Sequence, residues 1–309
     1  MRIIFMGTPD FAVATLQRLV ENGFEVVAVI TAPDKPVGRG QKMSESPVKK
    51  YAVLQGIPVL QPEKLKNKAF LEELATYQAD LQVVVAFRML PESVWAMPKM
   101  GTINLHGSLL PQYRGAAPIN WAVINGETIT GVTTFFIEKE IDTGNIIFSE
   151  NIEIKATDTA GDLHDRMMWI GGDLMVKTVK AIQSGVYPSL KQDFSQELKP
   201  APKIFKETCK IDWQKDAKTI YNFVRGLSPY PAAWTTLDGK VLKIFETEIV
   251  SEELPELLDN LKFEHFILKT DHKKHLLIQT SNGYLAIKSL QLEGKKRMTT
   301  EEFLRGYRF

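Results

Sequence analysis

The stretch "NLHGSLLPQYRGAAPINW", residues 104–121, sets Asn104 and His106 two positions apart at the end of an apolar run, then turns into a Gly/Pro/Arg loop. Side chains alternate faces along a strand, so these two polar groups share one face. If the strand belongs to an open α/β sheet, its C-terminal end is where such sheets bind ligands. A carboxamide beside a neutral imidazole can donate hydrogen bonds to a developing oxyanion. On spacing alone a plainer reading stands beside this one, with Asn104 capping a turn and His106 an ordinary half-buried residue. A second segment, "EKEIDTGNII", carries Asp142 ahead of a Thr-Gly turn. Asp also favours turns for bonds to its own backbone. Carboxylate, imidazole and carboxamide on neighbouring strand ends are the parts for acyl transfer without a covalent enzyme intermediate. Spacing does not show that the two segments meet.

The elements that must position these groups alternate. "RIIFMG" reads as a buried strand that leaves through Gly7-Thr8-Pro9, and "DFAVATLQRLVENG" as a helix with Phe11, Leu16, Leu19 and Val20 on one face, stopped by Gly23. "EVVAVIT", "IPVLQP", "DLQVVVAF" and "GTINLH" read as further strands, and "SPVKKYAVLQG" and "NKAFLEELATYQ" as helices. This alternation predicts a Rossmann-like α/β domain with an open, mainly parallel sheet. "APDKPVGRGQKMSESP" is a polar loop longer than a connector needs. After residue 130, "GVTTFFIEKEID" and "NIIFSENIEI" read as an antiparallel pair, and Thr159 to Ser184 as a long helix. "GVYPSLKQDFSQELKPAPK" lacks periodicity and is expected to be a linker, about 186–205. The expected domains are therefore 1–205 and 206–309. The second opens with the helix "DAKTIYNFVRGL" and continues as short strands around the turns Asp238-Gly239 and Asn282-Gly283. It reads as a smaller OB-like β-barrel.

Composition excludes several classes. The 309 residues are 44% hydrophobic and 24% charged with net charge +1, so no global basic field awaits a nucleic acid. Residues 207–309 hold 16 Lys and Arg against 15 Asp and Glu. The one cysteine, Cys209, excludes an internal disulfide and is expected to be buried and inert. The five histidines show no metal-ligand spacing beside a carboxylate, so no metal is expected. His272 and His275 in "DHKKH" read as a solvated turn, and His164 as a surface or packing residue of the long helix. "GTPDF" is neither G-x-G-x-x-G nor Walker A. Neither a secretory leader nor a membrane-length apolar run is visible, which predicts a cytoplasmic protein.

"INLHGSLLPQYRGAAPINW" together with "IDTGNII" resembles the folate-dependent formyltransferases. "IIFMGTPDFA", "TAPDKPVGRGQKMSESPVK", "APKI", "IDW", "NFVRGLSPYPAAW" and "QLEGKKRM" extend the likeness along nearly the whole chain. Two positions depart from that pattern. Phe87-Arg88 stands where Tyr-Gly is usual, and Glu140 where Gly is usual.

The resemblance implies 10-formyltetrahydrofolate as donor and the amino group of methionine on initiator tRNA as acceptor; a monomer is expected. It implies a catalytic set of Asn104, His106 and Asp142. Asn104 and His106 would hold the oxyanion, while Asp142 orients His106 or a water and helps move the proton. It implies folate contacts at Ser108, Leu109, Leu110 and Pro111, largely through backbone, and at Phe87, Met89 and Leu90. Residues 113–118 would shape the acceptor side. tRNA contacts are expected from local clusters: Lys35, Arg39 and Lys42 in the long loop, and Lys295, Lys296 and Arg297 near the C-terminus, with Lys273 and Lys274 as further candidates. The rival reading is a formyltransferase acting on an amino sugar nucleotide, against which the basic loop and "GKKRM" weigh. A purine-pathway formyltransferase has no need of the last hundred residues. A non-catalytic nucleic-acid-binding protein on an OB-like domain leaves the Asn/His/Asp set without purpose, and the chain lacks that class's basic bias.

Overall fold

Strand β1 (Arg2–Gly7), helix α1 (Asp10–Glu21) and β2 (Glu25–Ile30) open the computed structural model, which describes residues 1–37, 42–250 and 258–309. β3 (Lys35–Val37), β4 (Lys42–Ser44), α2 (Pro47–Leu54), β5 (Val59–Leu60), α3 (Lys68–Thr76) and β6 (Leu81–Val85) follow. Then come α4 (Glu92–Trp95), β7 (Thr102–His106), α5 (Pro118–Ile124), β8 (Ile129–Phe136), β9 (Ile146–Glu153) and α6 (Ala160–Ser184). Local chemistry explains the helix starts. Ser46 accepts from the Lys49 amide and Pro47 sits at the first helical position of α2, while Asn67 accepts from the Ala69 amide to cap α3.

Among the described residues seven strands form one sheet in the order β5-β2-β1-β6-β7-β8-β9. The first five run parallel, β8 runs against them, and β9 pairs antiparallel with β8. β6 is buried at every position and β1 at every position after Arg2, which is why both read as unbroken apolar runs. Strand order reverses between β1 and β6, so the ligand crevice of the sheet opens at their C-terminal ends, one strand from the end of β7. α6 packs on the sheet behind that crevice: Gly171 lies against Leu105, and the Thr178 and Thr134 hydroxyls are 2.8 Å apart. In the long loop after β2, β3 and β4 pair as a small antiparallel hairpin.

The chain forms two compact units that do not follow a single cut in the sequence. The first comprises 1–118, 129–153 and 164–200; the second comprises 119–128, 154–163 and 201–309. The second unit adds α7 (Ala217–Leu227), capped by Asp216, and then β10 (Ala233–Leu237), β11 (Lys240–Ile249), β12 (Asp259–Lys262), β13 (Ile267–Thr270), β14 (Leu276–Thr280), β15 (Gly283–Leu292), β16 (Met298–Thr299) and α8 (Thr300–Gly306). These strands make an antiparallel, curled sheet, β10-β11-β15-β14-β13-β12, with β16 on β15. α7 and α8 fill it with Ile220, Val224, Phe303 and Leu304, and Trp213 and Phe266 pack against the same core. Cys209 is buried, and burial pushes its thiol up. "DHKKH" is a turn in which the Asp271 carboxylate accepts from the Lys273, Lys274 and His275 amides and from the His275 ring. Among the described residues no helix is long and apolar enough to cross a membrane.

Candidate active site

His106 is the last residue of β7 and Asn104 lies two before it, on the same face. His106 is only 6% exposed. Its Nε2 donates to the Tyr113 carbonyl at 2.8 Å. A carbonyl only accepts, so Nε2 carries the proton, and in the neutral ring Nδ1 is bare. Nδ1 faces the Asp142 carboxylate, 3.8 Å from Oδ2. The two sequence segments therefore meet. The Asp142 carboxylate also accepts from the Gly115 amide at 3.1 Å. Asn104 is half-buried, and among the described residues its carboxamide makes no hydrogen bond within the protein.

The Asp142 loop has a forced geometry. Asp142 is left-handed, with φ +54°. A Cβ on Gly144 would sit 1.7 Å from the Phe136 carbonyl oxygen, so only glycine lets the chain turn back into β9 there. Gly131 plays a comparable part on β8, where a Cβ would meet the Glu150 carbonyl at 2.2 Å and the Leu109 side chain at 2.4 Å.

The loop after β7 is held from inside. The buried Ser108 hydroxyl donates to the Gln112 carbonyl at 2.6 Å. Thr133, opposite His106 in the β7–β8 register, donates to the Ser108 carbonyl at 2.7 Å and accepts from the Leu110 amide at 3.2 Å. Leu110 is buried, whereas Leu109 and Pro111 are half-buried. Phe87 and Leu90 pack half-buried against the cluster around Ile4, Met6, Ile30 and Val84, while Met89 is 73% exposed. Arg88 turns back to donate to the Glu63 and Pro62 carbonyls, tying the β6 loop to the segment after β5. Burial pushes its guanidinium down.

Within the stretch 186–205 expected as a linker, the residues from Leu190 to Lys199 make a strap on this site. Leu190 and Ile146 exchange backbone hydrogen bonds of 2.8 and 2.9 Å. The Gln192 amide donates to the Asp142 and Gly144 carbonyls, at 2.8 and 2.9 Å. Its oxygen accepts from Arg114 at 3.1 Å, and the Arg114 guanidinium lies 4.1 Å over the Phe194 ring. Further on, the Tyr113 amide donates to the Lys199 carbonyl at 2.7 Å. Sequence reading missed Gln192 and Thr133, and singled out Arg114 only as part of the acceptor-side segment 113–118. Thr133 left a trace, a hydroxyl inside an apolar strand; Gln192 sits in an aperiodic stretch and left none.

The basic candidates divide. Lys35 is exposed on β3, Lys42 belongs to β4, and Arg39 lies outside the described residues. The root of that hairpin is fixed by Lys49, whose ammonium bonds Asp34 and Glu45, and by Gln61, which donates to Asp34 and to the Ala32 carbonyl. Lys295 and Lys296 are exposed in the turn after β15. Arg297 is committed to its own sheet, donating to the Ser289 hydroxyl at 2.8 Å with its guanidinium 4.4 Å over Phe245. Among the described residues no group of three or more His, Cys, Asp or Glu side chains is gathered to hold a metal ion.

A His–Asp pair beside an uncommitted carboxamide, at the ligand edge of an open α/β sheet, has the parts for acyl transfer. Residues 1–179 match the formyl transferase family and residues 203–308 its C-terminal domain, so the chain belongs to the formyl transferases. Among its relatives, the methionyl-tRNA formyltransferase of Bacteroides thetaiotaomicron is 54% identical over 100% of this chain and 96% of its own length. That of Phocaeicola vulgatus is 57% identical with the same coverage. Among solved structures, a sugar 3N-formyltransferase, WlaRD, shares the fold with TM-score 0.65 at 23% identity, covering 96% of this chain and 99% of its own. The phosphoribosylglycinamide formyltransferase of Streptococcus pneumoniae has TM-score 0.51 and 22% identity, and covers 59% of this chain and 98% of its own.

Proposed function

We propose that this chain transfers the formyl group of 10-formyltetrahydrofolate to the amino group of methionine on initiator methionyl-tRNA, in the cytoplasm and as a monomer. Residues 1–205 carry the chemistry and 206–309 hold the tRNA. The observation that carries the acceptor is identity above 50% along the whole chain to proteins named for that reaction. The sugar formyltransferase reading rests on likeness below 25% identity, which speaks for the fold alone.

The residues present fit a folate donor. Among the described residues the half-buried Asn104 carboxamide has no protein partner, and Leu109, Phe87 and Leu90 offer half-buried apolar surface beside the crevice. When bound, the donor supplies an activated formyl carbon. The side chains then divide the work differently from the sequence expectation. Asn104 donates to the oxygen that gains charge as the amine attacks. His106 has committed Nε2 to Tyr113, so Nδ1 is the nitrogen that can take the amine's proton. Asp142 stabilises the imidazolium so formed, and the proton then returns to the departing folate nitrogen. An α-amino group has a pKa near 8 and an esterified one lies lower, so roughly neutral solution already supplies much free amine. Positioning and charge stabilisation therefore outweigh deprotonation.

The test offers 10-formyltetrahydrofolate with either charged initiator tRNA or an amino sugar nucleotide. Formylation of the tRNA alone is expected; formylation of the sugar nucleotide alone overturns the reading.

A further inference from the structure

We propose that Gln192 is a positioning residue for formyl transfer, setting the Asp142 carboxylate against His106 from the far side of the loop. The inference rests on the catalytic assignment of His106 and Asp142 made above. Gln192 is 8% exposed, and both its amide hydrogens and its oxygen are engaged in hydrogen bonds within the protein. Both amide hydrogens go to carbonyls, those of Asp142 and Gly144, and the oxygen accepts from Arg114. Binding two carbonyls on either side of Thr143 fixes the orientation of the turn that presents the Asp142 side chain.

That turn needs holding. Asp142 is a non-glycine residue at φ +54°, a sparsely populated region that persists only where surroundings over-determine it. Among the described residues its side chain has one protein hydrogen bond, from the Gly115 amide. The 3.8 Å to His106 is beyond hydrogen-bond length, so no direct bond sets that gap. His106 itself is fixed at the end of a buried strand. The separation is therefore set by the loop, and the loop is set by Gln192, by the Leu190–Ile146 backbone pair and by the Asn145–Ser189 bond of 3.0 Å.

The same strap reaches the other side of the imidazole. Lys199 accepts from the Tyr113 amide and donates its own amide to the Gln112 side chain at 2.9 Å, and Gln112 donates to the Glu197 carbonyl at 3.1 Å. Tyr113 supplies the carbonyl that holds Nε2. Both groups facing the His106 ring nitrogens thus stand on loops stitched to residues 189–199. Arg114 adds charge to the stitch. Stacked on Phe194 and donating to the Gln192 oxygen, it places a cation one amide away from Asp142.

The experiment is a double-mutant cycle. Gln192→Met keeps length and removes all three hydrogen bonds; Gln192→Glu keeps size and the Arg114 contact and removes both donors. Each is made alone and with Asp142→Asn, and kcat, both KM values and the melting temperature are measured. Displacing a reacting group by a fraction of an ångström to one ångström predicts a kcat loss between roughly ten- and a hundredfold, with both KM values within about twofold. In the Asp142→Asn background the same substitutions should cost less than about twofold, since the charge they position is gone. Near-native kcat in both Gln192 variants overturns the inference, as does a loss carried in full into the Asp142→Asn background. If Asp142→Asn is itself fully active, the catalytic assignment fails instead. Should Gln192→Met not fold, Gln192→Glu carries the cycle.

Discussion

Asp142→Asn is the sharpest probe of the site, because it removes one charge and little else. The new side chain keeps the shape, and its oxygen still accepts from the Gly115 amide. The ground state is barely touched, since a neutral imidazole gains little from a carboxylate 3.8 Å away. The difference appears when Nδ1 takes the proton of the attacking amine. Two unit charges at that separation, in a site of effective dielectric about 20, attract by about 4 kcal/mol. The side chains are 7% and 13% exposed, so solvent screens this only partly. About 4 kcal/mol is about a thousandfold in rate, and residual water access brings the expectation to roughly a hundred- to thousandfold. Pre-steady-state formylation at saturating folate and tRNA reads the step directly. The loss should fall in kcat, with both KM values nearly unchanged. A kcat within about fivefold of the parent, or a change confined to KM, would refute His106 Nδ1 as proton acceptor.

Thr133→Val keeps shape and leaves the Ser108 carbonyl and the Leu110 amide without their partner. At about 1–3 kcal/mol per buried unsatisfied group the melting temperature should fall by roughly 5–10 °C; an unchanged melt contradicts the account of that loop. Lys35→Ala should weaken tRNA binding and lower the salt dependence of affinity by about one contact, leaving folate affinity unchanged; titrations at several salt concentrations check this. Burial pushes Tyr307 up to about 12, helped by its bond to Asp238. A folded pKa above the unfolded value of about 10 means this stabilisation is complete below that pH and is lost as pH rises toward the folded value. Tyr307→Phe should therefore flatten the fall in stability between about pH 10 and 12, measured by denaturant melts.

What the sequence made legible and what it hid follow from range. Period-two alternation put Asn104 and His106 on one face, and alternating strands and helices put that face at the sheet's ligand edge; both are local signals. Asp142 was visible as a residue, and its Thr-Gly turn has a local cause, the space that Gly144 leaves for the Phe136 carbonyl. The division of labour was not visible, because it turns on which nitrogen of His106 is already occupied, and the Tyr113 carbonyl is oriented by a bond to Lys199. The strap was hidden for the same reason. A segment held mainly by hydrogen bonds to distant parts of the chain needs no periodicity of its own, so "SLKQDF" reads like a linker while its glutamine closes the Asp142 turn. Aperiodic, Pro-flanked polar stretches that follow a catalytic loop are thus ambiguous by sequence. The distinction lies in whether their side chains can satisfy backbone carbonyls that a left-handed turn leaves open, as Gln192 does for Asp142 and Gly144.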